Sequence, residues 1–290
     1  MHRALLIIIM AQLLTLPASA QAEQRYSVQG LVLGVDRATQ SMTVSCKEIP
    51  DYMAAMVMTY KVEDPQAINK LAPGAQIEFT LVVGKERSYA EQIRTVRYAS
   101  SEREPSKSRR LEALENALRG PNVSALTVGQ KVPDFALTDQ RKQSVRLSDF
   151  AGKVIALNFV YTRCALPDYC FRLSNNFGAL QKRYKDRMGR DLVLLTVTFD
   201  PVHDNPEALS EYAKTWKADP ENWHFLTGSP ADVQHVCDLF RVNYAPDEGL
   251  FVHSLHTAII DGDRKLVTNI EGNGFTSQQL GDLVGAVLDR

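Results

Sequence analysis

A largely apolar run, Val154 to Val160, empties into a loop carrying two cysteines, and helical spacing resumes directly after it. The run reads as a buried strand, and Leu173, Phe177 and Leu180 recur at the period of one helix face. Pro167 is placed to open that helix, and Asp168 suits its positive end. Cys170 then falls in the first turn, where the helix dipole favours a thiolate. Cys164 and Cys170 are six residues apart and would point about 120° away from each other on one continuous helix. Pro167 keeps Cys164 out of the helix, so the loop can fold it back toward Cys170. Two such thiols can close a disulfide or grip a soft metal ion.

The surrounding chain alternates strands and helices from Leu126 onward. Strands are expected at Val154–Val160, Leu192–Phe199, Thr257–Asp261 and Lys265–Ile270. Helices are expected at about Asp168–Tyr184, Pro206–Trp216, Ala231–Phe240 and Thr276–Leu288. Residues 125–290 are therefore an α/β domain with a mixed sheet. A strand, a two-cysteine loop and a helix in that order point to a thioredoxin-like fold. Residues 25–98 read as all-β: five short strands punctuated by Pro73-Gly74 and Gly84-Lys85 suit a small, partly open barrel of the OB type. Within residues 99–124, Ser100 to Arg110 is polar and charged and Leu111, Leu114 and Leu118 recur at helical spacing, which suggests a linker with one short surface helix.

The first twenty residues have the pattern of an export signal. Arg3 supplies the positive start, Leu5 to Leu16 a short apolar run, and Ala18-Ser-Ala20 a small-residue cleavage site. The expectation is an exported, periplasmic protein cleaved near Ala20, with no membrane span afterwards. That compartment is oxidising, so a Cys164–Cys170 disulfide is expected whenever no metal occupies the pair. With 33 basic against 34 acidic residues, nothing favours nucleic acid as a partner.

A third group is available in Phe251-Val-His253-Ser-Leu-His256, read as the opening of the late strand that abuts the cysteine loop in this fold. Thiol oxidoreductases of the fold carry a cis-proline there, and this stretch has no proline. Two thiolates and a neutral imidazole suit copper, because sulfur selects Cu(I) and imidazole accepts Cu(II). His253 and His256 are three apart on one expected strand and should face opposite sides, so only one of these two rivals should reach the metal. His203, His224 and His235 have no soft ligand nearby in sequence, and Cys237 fits the apolar face of a helix as a core thiol.

These residues resemble the SCO/SenC family of exported copper-binding proteins. The likeness rests on Val132-Pro-Asp-Phe135, Asn158-Phe-Val-Tyr-Thr162, the paired cysteines, Asp200-Pro-Val-His-Asp204, and His253 eight residues before Asp261. It covers about residues 126–290. It implies copper bound by Cys164, Cys170 and His253 and delivered to a membrane copper enzyme such as cytochrome c oxidase. The family's usual CxxxCP loop is replaced here by Cys164-x5-Cys170-Phe171.

The N-terminal segment carries its own soft ligands. Met56 and Met58 are two apart on an expected strand and share a face, and Cys46 ends the strand before. Methionines commonly fill cores, but thioethers beside a thiol also suit Cu(I). Cys46-Lys-Glu-Ile-Pro-Asp-Tyr-Met53-Ala-Ala-Met56-Val-Met58 resembles the CusF-like periplasmic copper-binding domain. Cys46 stands for that pattern's histidine, Asp51 for its glycine and Ala54 for its proline. Met56 and Met58 are the leading ligands, then Cys46 and last Met53. Two segments thus point to one soft metal, and the expectation is a copper metallochaperone. The alternative is a periplasmic thiol–disulfide oxidoreductase using Cys164 and Cys170. A peroxidase lacks the required loop spacing. A copper buffer would bind the metal in the same way and have no delivery partner.

Overall fold

The computed structural model describes residues 23–96 and 125–290. The export signal expected over 1–20 and the linker helix expected over 99–124 lie outside the described residues. Two cores organise the rest. The first belongs to five strands, β1 (Gln24–Asp36), β2 (Ser41–Cys46), β3 (Met56–Val62), β4 (Gln76–Val83) and β5 (Ser88–Thr95). They close in the order β1-β2-β3-β5-β4. The barrel is closed rather than partly open, because β3 and β5 pair in parallel through Lys61↔Tyr89 and Val62↔Ala90. A short helix, α1 (Pro65–Asn69), bridges β3 and β4 and starts at Asp64, whose carboxylate caps Gln66.

The second core fills a seven-stranded mixed sheet. Its strands are β6 (Ala136–Asp139), β7 (Ser144–Arg146), β8 (Val154–Val160), β9 (Leu192–Thr198), β10 (Trp223–Thr227), β13 (His256–Ile260) and β14 (Leu266–Glu271). Their order is β14-β13-β8-β9-β10-β6-β7, with β8, β9 and β10 parallel at the centre. β8 and β9 are buried along their whole length, as parallel strands covered on both faces must be. The helices are α2 (Arg172–Arg183), α3 (Pro206–Thr215), α4 (Pro230–Leu239) and α5 (Ser277–Leu288). This is the thioredoxin-like α/β arrangement expected, with a separate hairpin added: β11 (Tyr244–Asp247) and β12 (Leu250–His253).

The barrel docks on α5 through its outward side chains. Along β1, Val28 and Val32 fill the barrel, while Leu31 and Leu33 join the core of the α/β domain. Polar contacts finish the joint. Ser45 Oγ donates to Asp282 at 2.7 Å, Gln279 Nε2 to the Ser45 carbonyl at 2.9 Å, and Gln76 Nε2 to the Glu271 carbonyl at 3.2 Å. Gly74, at φ +84°, lies where a Cβ would come within 2.1 Å of Thr268 Oγ1, so only glycine permits this approach. Among the described residues no helix is long and apolar enough to cross a membrane.

Candidate metal centres

The cysteine loop leaves β8 at Val160, and the Cys164 amide turns back to the Tyr161 carbonyl at 3.3 Å. Pro167 opens a wide helical turn, Pro167–Phe171, which runs into α2. Inside it Tyr169 leaves helical geometry (φ −111°, ψ −112°), and the kink breaks the first turn. Asn273, from the β14–α5 junction, donates to the Asp168 carbonyl and holds this turn from the other side.

Cys164, Cys170 and His253 converge. Their ligand atoms all lie within 4.8 Å of one another, and all three residues are buried. Cys170 Sγ is 3.8 Å from His253 Nε2. The other ring nitrogen, Nδ1, sits 2.9 Å from the Ser254 carbonyl. A carbonyl only accepts, so Nδ1 carries the hydrogen and Nε2 presents its lone pair to the sulfurs. The ring is fixed by aromatic neighbours, with centroids 4.7 Å away at Phe199 and 5.7 Å away at Tyr161. This is the coordination pattern of a soft metal: two sulfurs, one oriented imidazole and an apolar wall.

Electrostatics makes the two thiols unequal, and in the reverse sense to that expected from a helix start. A hydrogen bond with Cys170, joined by backbone groups at Leu166 and Cys170, pulls the Cys164 thiol well below the ordinary range. Burial pushes Cys170 well up, and its hydrogen bond with Cys164 adds to the shift. Complete burial and the Tyr169 kink outweigh the helix dipole at Cys170. Burial also pushes the Tyr161 hydroxyl up to about 12.

His253 and His256 do not share a strand. His253 ends β12 and His256 begins β13, so strand alternation does not govern which one faces the thiols. His256 turns to Asn269, with Nδ1 at 3.2 Å from Oδ1. His203 and His224 pair with Asp200 and Asp139 at 2.8 and 3.3 Å. Cys237 is fully buried in the core, and burial raises its thiol.

Arg163 is a functional neighbour that the sequence motifs do not single out. Its guanidinium reaches Asp200 Oδ2 at 2.8 Å, His203 Nδ1 at 3.1 Å and the Gly249 carbonyl at 3.2 Å. It thereby ties the cysteine loop to the β11–β12 hairpin that carries His253. The available signal was an arginine beside Cys164 with an aspartate-rich turn elsewhere in the chain. Asp204 supports the same loop by accepting from the Thr162 amide at 3.0 Å.

In the barrel, Cys46 and Met56 are directly opposed across β2–β3, as are Val44 and Met58. Val44 and Cys46 lie in the barrel core, so Met56 and Met58 share the inward-facing side of the ribbon at its open end, where both are exposed. Cys46 is buried, with Sγ 3.3 Å from the Tyr60 hydroxyl, and burial raises its thiol. Met53 is half-buried in the intervening turn, paired to Ile49 through both backbone bonds. Asp51, standing at the glycine of the CusF-like pattern, takes φ +59°.

The model of the SCO1/SenC family matches residues 124–287, more than half of the chain. The chain belongs to the SCO1/SenC family. The model of the copper binding periplasmic protein CusF matches residues 25–94, ahead of the SCO1/SenC domain. Among curated relatives, Protein sco1 of Schizosaccharomyces pombe is 27% identical over 160 residues, covering 52% of this chain and 59% of that protein. The SCO1 protein homolog of Bacillus subtilis is 24% identical over 161 residues, covering 54% of this chain and 81% of that one. Among solved structures, Arabidopsis thaliana ScoI with copper bound is 26% identical, with a TM-score of 0.49 over 57% of this chain and all of that one. Yeast Sco1 with copper bound is 23% identical, with a TM-score of 0.47 over 57% of this chain and 90% of that one.

Proposed function

We propose that this protein is an exported copper metallochaperone. In this reading Cys164, Cys170 and His253 hold copper, and Met56 and Met58, with Cys46 and Met53 beside them, form a second Cu(I) site. The observation that carries it is the approach of two thiols and an imidazole to within 4.8 Å, with Nε2 already aimed at the sulfurs. Soft sulfur with one imidazole suits copper and suits hard cations badly. Membership of the SCO1/SenC family supports the same metal. It also supports delivery to a membrane copper enzyme such as cytochrome c oxidase. The CusF match and the export-signal pattern before Gln21 support a periplasmic location.

A second reading, thiol–disulfide oxidoreductase, is favoured by one observation: Cys164 is held toward thiolate while Cys170 keeps its proton. That is the asymmetry of an attacking thiol and its resolving partner. Metal analysis separates the two. Pure protein, reduced and dialysed against Cu(I), is expected to retain two equivalents. Cys164→Ser with Cys170→Ser removes one, and Met56→Leu with Met58→Leu removes the other. Protein that retains no copper while reducing a partner's disulfide would favour the second reading.

A further inference from the structure

Both candidate centres hang from one short piece of chain. Asn273 donates to the carbonyl of Asp168, inside the cysteine turn. Gln278 donates to the carbonyl of Ala55, the residue before Met56, at 3.3 Å. Even fully extended, five residues span no more than roughly 18 Å, and the helical start of α5 shortens this further. Neighbouring contacts fix the arrangement: Gln279 and Asp282 both hold Ser45, the residue before Cys46. Along β2 and β3 the outward residues face α5, while Cys46, Met56 and Met58 face the barrel mouth. The methionine-bearing end of the barrel is thus pinned to the same end of the α/β domain as the cysteine loop.

The two centres differ in a way that sets a direction. Met56 and Met58 are exposed, neutral thioethers, and the Cys46 thiol beside them is buried against Tyr60. Cys164, Cys170 and His253 are buried within 4.8 Å of one another, and cysteines ligate a metal as thiolates. Neutral thioethers hold a cation more weakly than a thiolate does, because the thiolate adds direct charge attraction in a buried site. An open, weak site and a closed, strong one are thus held from the same stretch of chain.

We propose that Cu(I) captured by Met56 and Met58 passes to Cys164 and Cys170 of the same chain, so that the barrel is a built-in donor for the thiol site. This rests on the copper reading above. The transfer is a ligand exchange: Cu–S bonds to the two thioethers break as Cu–S bonds to the two cysteines form. Each thiol proton that copper displaces leaves to solvent, and copper remains Cu(I), with no electron moved.

The test uses the full chain, reduced and without oxygen, given less than one equivalent of Cu(I) as a weak complex. Filling of the thiol site is read as protection of Cys164 and Cys170 from alkylation, by mass spectrometry. A short tether supplies an effective concentration of about 1 mM, so at ~10 µM protein the intramolecular route should be about 100-fold faster than transfer between molecules. The wild type is expected to fill at a rate that does not change on dilution. Met56→Leu with Met58→Leu should fill far more slowly and reach the same final protection; both side chains are exposed, so leucine is tolerated. Copper-loaded Cys164→Ser/Cys170→Ser protein mixed with the methionine variant should transfer slowly, at a rate that rises with concentration. The relay is overturned if the methionine variant fills as fast as the wild type, or if the wild-type rate scales with concentration. If no protein shows protection even at equilibrium, the copper reading itself fails and the relay falls with it.

Discussion

His253 Nε2 faces Cys170 Sγ at 3.8 Å, while His256 points to Asn269 at 3.2 Å. The two histidines therefore predict opposite outcomes. His253→Ala should abolish the Cu(II)-thiolate absorption band and leave the dithiol able to oxidise. His256→Ala should keep the band and lower thermal stability by about 1–2 kcal/mol, the cost of a lost buried hydrogen bond. Visible spectra and melting curves of both variants check this; loss of the band in His256→Ala alone would reassign the ligand.

Thiol labelling should be strongly ordered. Cys164 is held toward thiolate, whereas burial raises Cys46, Cys170 and Cys237. At mildly acidic pH a small alkylating reagent should modify Cys164 first. Without copper, mild oxidation should consume two of the four thiols, those of Cys164 and Cys170, and a reductant should restore both. Peptide mapping reads both results, and four thiols surviving oxidation would contradict the pairing.

Arg163→Met should loosen the hairpin that carries His253. The side chain of Asp200 is 2% exposed and that of Arg163 37%, so the partly screened pair should cost about 1–3 kcal/mol when broken. Copper affinity should fall with it. Arg163→Lys should recover only part of that affinity, because an ammonium lacks the planar fork that reaches Asp200 and the Gly249 carbonyl together. Denaturation curves and copper competition titrations measure the two effects separately.

Stability should decline in alkali. Cys46, Cys170 and Cys237 all have folded-state values raised by burial. Such groups ionise first in the unfolded chain, so their contribution is complete below the ordinary thiol value near ~8.5 and is lost as pH rises above it. Urea midpoints of the reduced protein should fall above that pH. Cys237→Ala should flatten the decline, at a cost of about 1–2 kcal/mol near neutrality for the vacated core space.

Much of this was legible in the sequence because long buried strands and amphipathic helices announce themselves. Val154–Val160, Leu192–Phe199 and the helix after Pro206 lie within a residue or so of their expected bounds. The elements not foreseen are short: Ala136–Asp139, Ser144–Arg146 and Trp223–Thr227 give too few residues for a period to emerge. The β11–β12 hairpin turns through Glu248 and Gly249 at φ values of +50° and +80°, and the sequence reading did not separate it from the late strand. Its consequence for the centre was hidden. Ser254 and Leu255 break the chain into two strands without glycine or proline, so the separate placement of His253 and His256 needed the fold. The inequality of the two thiols also needed it, because burial depth and the Tyr169 kink are set by packing.

The joint at Gly74 is sealed by a missing side chain. A single methyl there would meet Thr268 Oγ1 at 2.1 Å, on a backbone already at φ +84°. Gly74→Ala would act as a wedge one carbon thick, driven between two bodies that each keep their own core. The barrel and the sheet would stay folded while the hinge between them opened. A chain that works as one instrument could then be played as two, and whatever depends on their being neighbours would fall silent first.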